Sequence, residues 1–292
     1  MAVTGQDPRL VLATADLHYR AYAQGDASTW RLADAVCDSG ADVLIIAGDI
    51  ADQNTERLRA CLDLFYGFGG LKLLVPGNHD VWAGKESSRE RYLKFLPRAA
   101  SAAGFHMLDA APVTAGAVGF VGNMGWYDYS FRNPDLKLST EDYERKELPG
   151  VCTWNDGRFI DWDVSDAAFT ERCLDKLSKD YRSVEPNVDT AVVVLHHLPF
   201  RELLYGPSDV AHEFCRAYMG SERFGELLLD CPKVRYVICG HRHGPDVCTV
   251  GHIQAVTVGS DYDTKRLLQL DLATGDCRRR TFEPPTELLY DD

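Results

Sequence analysis

The chain has 292 residues, of which 45% are hydrophobic and 26% charged, a composition typical of a globular protein with its own core. Its formal net charge of -13 at pH 7 disfavours proteins that wrap duplex nucleic acid or dock on anionic lipid, because both partners require neutralisation by Lys and Arg. A small anionic substrate stays possible, since bound metal ions can reverse the local field.

Short apolar runs alternate with amphipathic stretches along the chain, which is typical of α/β architecture. In chain order we predict strands over Arg9–Ala15, Val43–Ala47, Leu71–Val75, Gly116–Gly122, Ala191–Leu195, Val234–Cys239 and Ile253–Val258. We predict helices over Thr29–Ser39, Asn54–Phe65, Ser87–Ala103, Ser165–Asp180 and Gly220–Asp230. Ser87 is followed three residues later by Glu90, the capping-box pattern of a helix start.

The segment from about Trp126 to Ile160 differs from the rest of the chain. It is rich in Tyr, Trp, Asp, Asn, Gly and Pro and has little periodicity. We interpret residues 126–160 as an insertion that could overhang a site, with an irregular surface excursion as the alternative. Arg201–Cys215 is a second stretch of this kind. Since no internal repeat is evident, we expect one domain over residues 1–292.

The nine cysteines are scattered and contain no C-x-x-C pair, which disfavours a zinc ribbon or a thioredoxin-like site. Isolated cysteines of this kind are typical of reduced, buried thiols in a cytosolic protein. The first residues lack a basic region followed by a long apolar run, and no stretch approaches 18 consecutive apolar residues. We therefore expect a cytoplasmic protein without a membrane span.

Polar clusters follow the five strongest strands directly. In chain order they are Asp16-Leu17-His18, Gly48-Asp49-Ile50-Ala51-Asp52, Gly77-Asn78-His79-Asp80, His196-His197-Leu198-Pro199 and Gly240-His241-Arg242-His243. Each cluster alone has a blander explanation, such as a polar turn or surface histidines. Together they contain six of the nine histidines, and ligands of open α/β sheets collect at the carboxyl ends of strands. We therefore expect these clusters to converge.

The chemistry of the clustered side chains points to divalent cations. Asp, Asn and His donors without thiolates suit borderline metal ions. Asp49 is central to the set and could bridge two ions about 3.5–4 Å apart, the spacing of a two-metal hydrolytic site.

The ordered motifs D-x-H, G-D-x-x-D, G-N-H-D, H-x-x-P and G-H-x-H resemble those of the calcineurin-like metallophosphoesterase superfamily. They extend from Asp16 to His243, most of the chain. The resemblance implies a four-layer α/β/β/α sandwich, in which two mixed sheets are flanked by helices. It also implies a binuclear centre of Mn, Fe or Zn at the strand ends, with manganese among the candidates.

The resemblance also implies a ligand for each ion, position by position. The first ion would be held by Asp16, His18 and His243, and the second by Asn78, His196 and His241, with Asp49 shared. In relatives the fourth motif provides the first residue after the strand, which favours His196 over the adjacent His197.

The same resemblance implies roles for two further residues. A hydroxide bridging the two ions would attack phosphorus in line, and His79 would give a proton to the leaving oxygen or stabilise the charge developing there. Asp52 would accept the other imidazole N–H of His79 and so fix its tautomer. For Asp80 we expect only that it caps or orients its turn.

The expected function is hydrolysis of a small phosphorylated metabolite or nucleotide. The alternatives are a phosphodiesterase acting on cyclic nucleotides or nucleic acid, and a catalytically weak binding scaffold on the same fold. A nuclease is disfavoured because the one basic run, 278–280, is interpreted as a solvated strand end. A protein phosphatase is disfavoured because residues 50–54 lack the arginine of that branch, and a scaffold because all the ligand positions are retained.

Substrate contacts are harder to infer from the sequence. Trp126 and Tyr127 follow a Gly-rich strand end and could stack on a base or sugar, with packing beneath a loop as the alternative. Arg242 is a candidate phosphate contact. Neither the choice between monoester and diester nor the oligomeric state follows from the sequence.

Overall fold

The computed structural model describes the backbone of residues 2–3 and all of residues 7–285. The β-strands, in chain order, are β1 Ala2–Val3, β2 Leu10–Thr14, β3 Val43–Ala47, β4 Leu71–Val75, β5 His106–Met107, β6 Val113–Ala115, β7 Val118–Asn123, β8 Glu147–Leu148, β9 Cys152–Thr153, β10 Thr190–Leu195, β11 Val234–Cys239, β12 Asp246–Val250, β13 Ile253–Thr257, β14 Lys265–Asp271 and β15 Cys277–Phe282.

Two mixed sheets form the centre of the molecule. One has the order β15-β14-β2-β3-β4-β5, and the other has the order β1-β6-β7-β10-β11-β13-β12. Strands β2 to β5 are parallel, as are β7, β10, β11 and β13, while β14 and β12 join their sheets antiparallel. The carboxyl ends of β2, β3 and β4 therefore lie at one edge of the first sheet, and those of β10 and β11 at one edge of the second.

The helices, in chain order, are α1 Ala23–Cys37, α2 Thr55–Asp63, α3 Ser88–Glu90, α4 Leu96–Ala102, α5 Thr140–Glu144, α6 Asp156–Phe159, α7 Asp166–Val184, α8 Val210–Cys215 and α9 Glu222–Leu229. Short 3₁₀ turns occupy His79–Val81, Pro134–Leu136, Glu185–Asn187, Arg201–Leu203 and Arg216–Tyr218. The Ser87 hydroxyl accepts the Glu90 N–H as predicted. A π-turn over Arg91–Phe95 interrupts the helix that we predicted as continuous to Ala103.

Apolar side chains fill the space between the two sheets and the spaces under the helices. Val11 and Ile45 from the first sheet and Phe120 and Val194 from the second are fully buried in one shared cluster. A second cluster packs the opposite sheet faces against the helices. The predicted four-layer α/β/β/α sandwich is confirmed. Among the described residues, no helix combines the length and apolarity needed to cross a membrane.

Strands β12, β14 and β15 were not predicted, because β12 and β15 have largely polar sequences and β14 has only a short apolar run between charged residues. Strand β15 contains the basic run 278–280 that we interpreted as a strand end. Arg278 and Arg280 are exposed, while Arg279 turns inward and donates to the backbone oxygens of Asp246 and Thr257. Charged side chains of this kind are common on an edge strand, where they discourage pairing with other chains.

Candidate metal centre

The site forms where the chain leaves the strands in short, strained turns. Asp16, His18, Asp49 and His241 all have positive φ values, 53°, 42°, 52° and 65°. This conformation is uncommon for residues with a side chain and persists only where the surroundings enforce it. Here backbone hydrogen bonds enforce it, from Asp16 N–H to the Gly48 oxygen and from His18 N–H to the Asp49 oxygen, both 2.9 Å.

Two glycines of the motifs permit this close approach. A Cβ at Gly48 would lie 2.3 Å from His196 Nδ1, and a Cβ at Gly77 would lie 2.1 Å from Asp49 Oδ1. Both distances are far below a possible contact, so only glycine fits either position.

All seven residues predicted as metal ligands are brought together. Among the described residues, the groups that could hold a metal ion are Asp16–His18–His243, His18–Asp49–His79 and Asp49–His196–His241. Asp49 lies in the middle, with its Oδ2 atom 3.7 Å from His18 Nε2 and 3.5 Å from His196 Nε2. Asn78 completes the set, because its Oδ1 atom lies 3.1 Å from His196 Nε2.

The protonation chemistry of this cluster fits bound cations. Asp16 is fully buried, and its Oδ2 atom has no hydrogen-bond partner in the described chain. Burial raises the pKa of Asp16 to about 8. The Nε2 atoms of His18 and His243 face each other at 3.2 Å, so at most one of them can donate a proton to the other. Unpaired lone pairs beside a buried carboxylate are what a divalent ion would satisfy, and this donor set suits Mn, Fe or Zn.

Asp49 also dominates the electrostatics of the cluster. Burial alone would raise its pKa, but the imidazoles of His196 and His79 outweigh burial and hold the pKa of Asp49 well below its usual range. In turn, burial opposes a charged His196, yet Asp49 raises the pKa of His196 to about 9. A negative charge therefore stays at the centre of the site.

The structure separates the two adjacent histidines of the fourth motif. His196 Nδ1 lies 2.9 Å from the Ala47 oxygen, which leaves Nε2 free to face Asp49 and Asn78. His197 points the other way, with Nδ1 3.1 Å from the Met124 oxygen and its ring edge-on to Trp126. The geometry favours His196 as the ligand.

His79 lies at the site, but Asp52 does not contact it as expected. The His79 ring stacks on Trp82 with centroids 3.7 Å apart, and its Nε2 atom lies 4.0 Å from Asp49 Oδ2. Asp52 instead accepts from Arg57 at 3.1 Å and from the Asn54 N–H at 3.1 Å. Because Asp52 precedes α2, the helix start and a nearby arginine take its carboxylate, and the expected Asp52–His79 pair must be withdrawn.

Asp80 orients its turn, as predicted, and does more. Its buried carboxylate accepts the N–H groups of Ile50, Ala51 and Gly77 at 2.9–3.0 Å, which ties the second motif to the third. Burial, reinforced by the charge of Asp49, raises the pKa of Asp80 to about 7.

The predicted substrate contacts are corrected in part. Trp126 and Tyr127 are fully buried and cannot stack on a substrate. Trp126 donates to Asp166 at 2.8 Å, and Tyr127 donates to Asp156 at 2.9 Å. The alternative interpretation, packing beneath a loop, therefore holds for both residues. Arg242 does line the cleft, where its guanidinium lies over the ring of Tyr205.

A cleft of about 420 Å³ lies over the cluster, with Asp49, Asn78, His241 and His243 among its lining residues. Its apolar lining includes Trp82, Trp154, Leu204, Pro207, Met219 and Tyr262. The insertion contributes residues 153–156 to this lining, although its aromatic side chains mostly fill the core. Sequence reasoning missed Trp154, Asp156 and Tyr262. For Tyr262 a signal existed, since Gly259-Ser260-Asp261-Tyr262 is a further polar cluster that follows a predicted strand.

Comparisons with known proteins identify the family and the fold. A family model described as calcineurin-like phosphoesterase matches residues 9–245. A phosphopantetheinyl hydrolase from Mycobacterium tuberculosis is 22% identical, with a TM-score of 0.67 over 88% of this chain and 90% of that chain. A dimetal phosphatase from Danio rerio is 15% identical, with a TM-score of 0.57 over 96% of this chain and 100% of that chain. Both structures share the fold. Among curated proteins no match is found.

Proposed function

We propose that this chain, which belongs to the calcineurin-like phosphoesterase family and is a metal-dependent phosphoesterase, hydrolyses a small phosphate ester with an apolar or planar organic part. One observation carries the proposal: the buried Asp49 carboxylate, surrounded by imidazoles, lies at a cleft of about 420 Å³. That volume is in the range of sites for small molecules.

The residues around Asp49 divide into two sets that would each hold a divalent ion. Asp16, His18 and His243 form one set, and Asn78, His196 and His241 form the other, with Asp49 shared. When bound, such ions supply Lewis-acid neutralisation of phosphoryl charge and lower the pKa of water at the site. Their identity among Mn, Fe and Zn is left to metal analysis.

His79 is the proposed proton donor to the leaving oxygen. Its backbone N–H donates to Asp49 Oδ1 at 3.0 Å, and Trp82 supports one face of its ring. These contacts fix the imidazole at the cleft, where it is 19% exposed and can reach a substrate. An imidazole held in this way can donate a proton to the departing alkoxide.

The cleft lining supports a small ester over a polymer. Its described cationic side chains are Arg216 and Arg242, and Arg216 is already paired with Glu213 at 2.9 Å. Extended nucleic acid needs a basic track to neutralise successive phosphates, and two arginines in a chain of charge -13 do not provide one. The apolar walls suit the organic part of a metabolite or nucleotide.

A substrate panel with defined metal tests the proposal. Apoprotein is loaded with Mn²⁺, Fe²⁺ or Zn²⁺ and assayed on p-nitrophenyl phosphate, its bis ester, nucleotides, cyclic nucleotides and phosphopantetheine, the last because of the fold shared with the M. tuberculosis hydrolase. We expect metal-dependent turnover of at least one small ester. Glu171→Gln, which changes an exposed carboxylate paired with Arg223, is the matched control and should keep full activity. Two bound ions without turnover of any ester would instead support the scaffold alternative.

A further inference from the structure

We infer that Asp156 is a positioning residue for the Asn78 side of the metal centre, through one buried carboxylate that orients Asn78, Trp82 and Trp154 together. This inference rests on the proposed function, since it concerns how the proposed ligands are held.

The carboxylate of Asp156 accepts four hydrogen bonds. Its Oδ1 atom accepts from Asn78 Nδ2 at 2.9 Å and from Trp82 Nε1 at 2.7 Å. Its Oδ2 atom accepts from the Tyr127 hydroxyl at 2.9 Å and from Trp154 Nε1 at 2.8 Å. Asp156 is 1% exposed, so these donors satisfy it in place of water. Four donors use about all the acceptor sites that a carboxylate has.

The bond to Asn78 decides which end of its amide faces the cluster. Because an ionised carboxylate only accepts hydrogen bonds, the NH₂ group of Asn78 must point at Asp156. Its Oδ1 atom must then point the other way, where it lies 3.1 Å from His196 Nε2. Only the oxygen end of an amide can bind a cation, so Asp156 keeps Asn78 in its ligating orientation.

The hydrogen bonds to Trp82 and Trp154 also fix the two rings that pack against His79 and His241. Trp82 stacks on His79 at 3.7 Å, with ring planes 27° apart. Trp154 lies edge-on to His241 at 5.7 Å and stacks on Tyr218 at 5.2 Å. The same carboxylate therefore fixes the surfaces against which the proposed proton donor and a proposed ligand rest.

Asp166 provides a matched control in the same region. It is also buried, and it also accepts from a tryptophan, a tyrosine and a lysine: Trp126, Tyr129 and Lys146. None of these three belongs to the proposed ligand set. Substitution of Asp156 or Asp166 should therefore cost comparable stability, and only Asp156 should matter for metal binding.

Calorimetric titration of apoprotein with Mn²⁺ tests the inference. Wild type and Asp166→Asn should bind two ions with the same affinities, whereas Asp156→Ala should weaken one of the two by about 10–100-fold. Asp156→Asn should be milder, because its amide keeps one acceptor oxygen and the Tyr127 hydroxyl can rotate to accept. If Asp156→Ala does not fold, the Mn²⁺ affinities of Asp156→Asn test the positioning role in its place.

The outcomes separate this inference from the proposed function. If wild type binds none of Mn²⁺, Fe²⁺ and Zn²⁺, the proposed function fails, and if it binds only Fe²⁺ or Zn²⁺ the titrations are repeated with that ion. If wild type binds two ions and both Asp156 variants bind them equally well, the positioning role alone is overturned. At saturating Mn²⁺ we also expect Asp156→Ala to have a lower kcat and an unchanged KM, because loss of the bond to Trp82 removes the support of the His79 ring.

Discussion

The two halves of the site are held by different means. In the Asn78 half (Asn78, His196 and His241) every side chain is buried and has a protein partner: Asp156, the Ala47 oxygen and the Tyr218 oxygen, respectively. In the Asp16 half (Asp16, His18 and His243) Asp16 Oδ2 is unpaired, and the His243 side chain is 33% exposed. His18 packs on Tyr262, with centroids 4.5 Å apart.

In the Asn78 half, hydrogen bonds from the protein orient the proposed ligands, whereas in the Asp16 half an unpaired oxygen and a partly exposed imidazole leave that orientation to any ion that binds. Hydrogen bonds to ligand side chains fix their orientation before a cation arrives. In the Asp16 half, strained backbone and aromatic packing set the positions, and lone pairs are left for the cation.

Asp49→Ala should impair both halves of the site, because the Asp49 carboxylate lies between them and is proposed to be shared. Loss of the shared carboxylate leaves the imidazoles of His18 and His196 without their common anion. We expect loss of both ions and a fall in turnover of more than about 10³-fold, measured by metal analysis and ester hydrolysis. Normal metal content in this variant would contradict the shared role.

His79→Ala should leave both halves intact and remove the proton donor. We expect two bound ions and a decrease in turnover of about 10²–10⁴-fold. The decrease should be smaller for p-nitrophenyl phosphate, whose leaving group needs little protonation. Loss of an ion would show that His79 is a ligand and assign it to a half.

His241→Ala and His243→Ala compare the halves directly through stability. His241 is 8% exposed and accepts or donates at both ring nitrogens, so its loss should lower the free energy of unfolding of the apoprotein by about 1–3 kcal/mol. His243 is more exposed, and its loss should cost about 0.5 kcal/mol or less. Urea unfolding of both apoproteins measures the difference. Equal losses would show that the halves are equally organised.

Asp109→Asn provides a comparison for the unpaired oxygen of Asp16. Asp109 also has a buried, unpaired Oδ2, but it lies outside the groups that could hold a metal. Because Asp109 lies outside those groups, a proton and not a cation should occupy its Oδ2 atom, and burial raises the pKa of Asp109 from 3.8 to about 7.

The folded state holds the Asp109 proton more tightly than the unfolded chain does, so the contribution of Asp109 to the free energy of unfolding should fall as pH rises from about 4 to about 7. The contribution of Asp109 is up to about 1.4 kcal/mol per pH unit in that window and levels off above it. In Asp109→Asn this contribution disappears, so the difference in free energy of unfolding between wild type and variant, measured by urea unfolding at several pH values, should fall across this window. A difference that stays constant across the window would contradict the assigned pKa.

The sequence predicts most of the parallel strands and identifies the seven side chains that the structure brings together, for a physical reason. Each of these side chains lies within a few residues of a strand end, and parallel strands carry their ends to a common edge, as the turns at Asp16 and Asp49 show. Each motif is therefore recognisable from neighbouring residues, and the regular sheets bring the separate motifs together in space.

The sequence fails where a partner comes from a distant or competing element. Tyr127 donates to Asp156, which lies 29 positions further along the chain, and no periodic pattern in the sequence predicts that bond. Asp52 lies beside both a histidine motif and a helix start, and the helix start takes it. The polar edge strand β15 carries no apolar pattern to announce it.

The positive φ values at Asp16, His18, Asp49 and His241 have a thermodynamic consequence. Each such residue costs about 1–3 kcal/mol, and the folded chain carries that load together with two buried carboxylates. Any ion that binds only the folded form offsets this cost by mass action, and it raises the free energy of unfolding by about 2.7 kcal/mol at a free concentration 100 times its Kd. The melting temperature of the protein should then rise with the logarithm of the free divalent-cation concentration, so thermal stability would report how much metal is available to the protein.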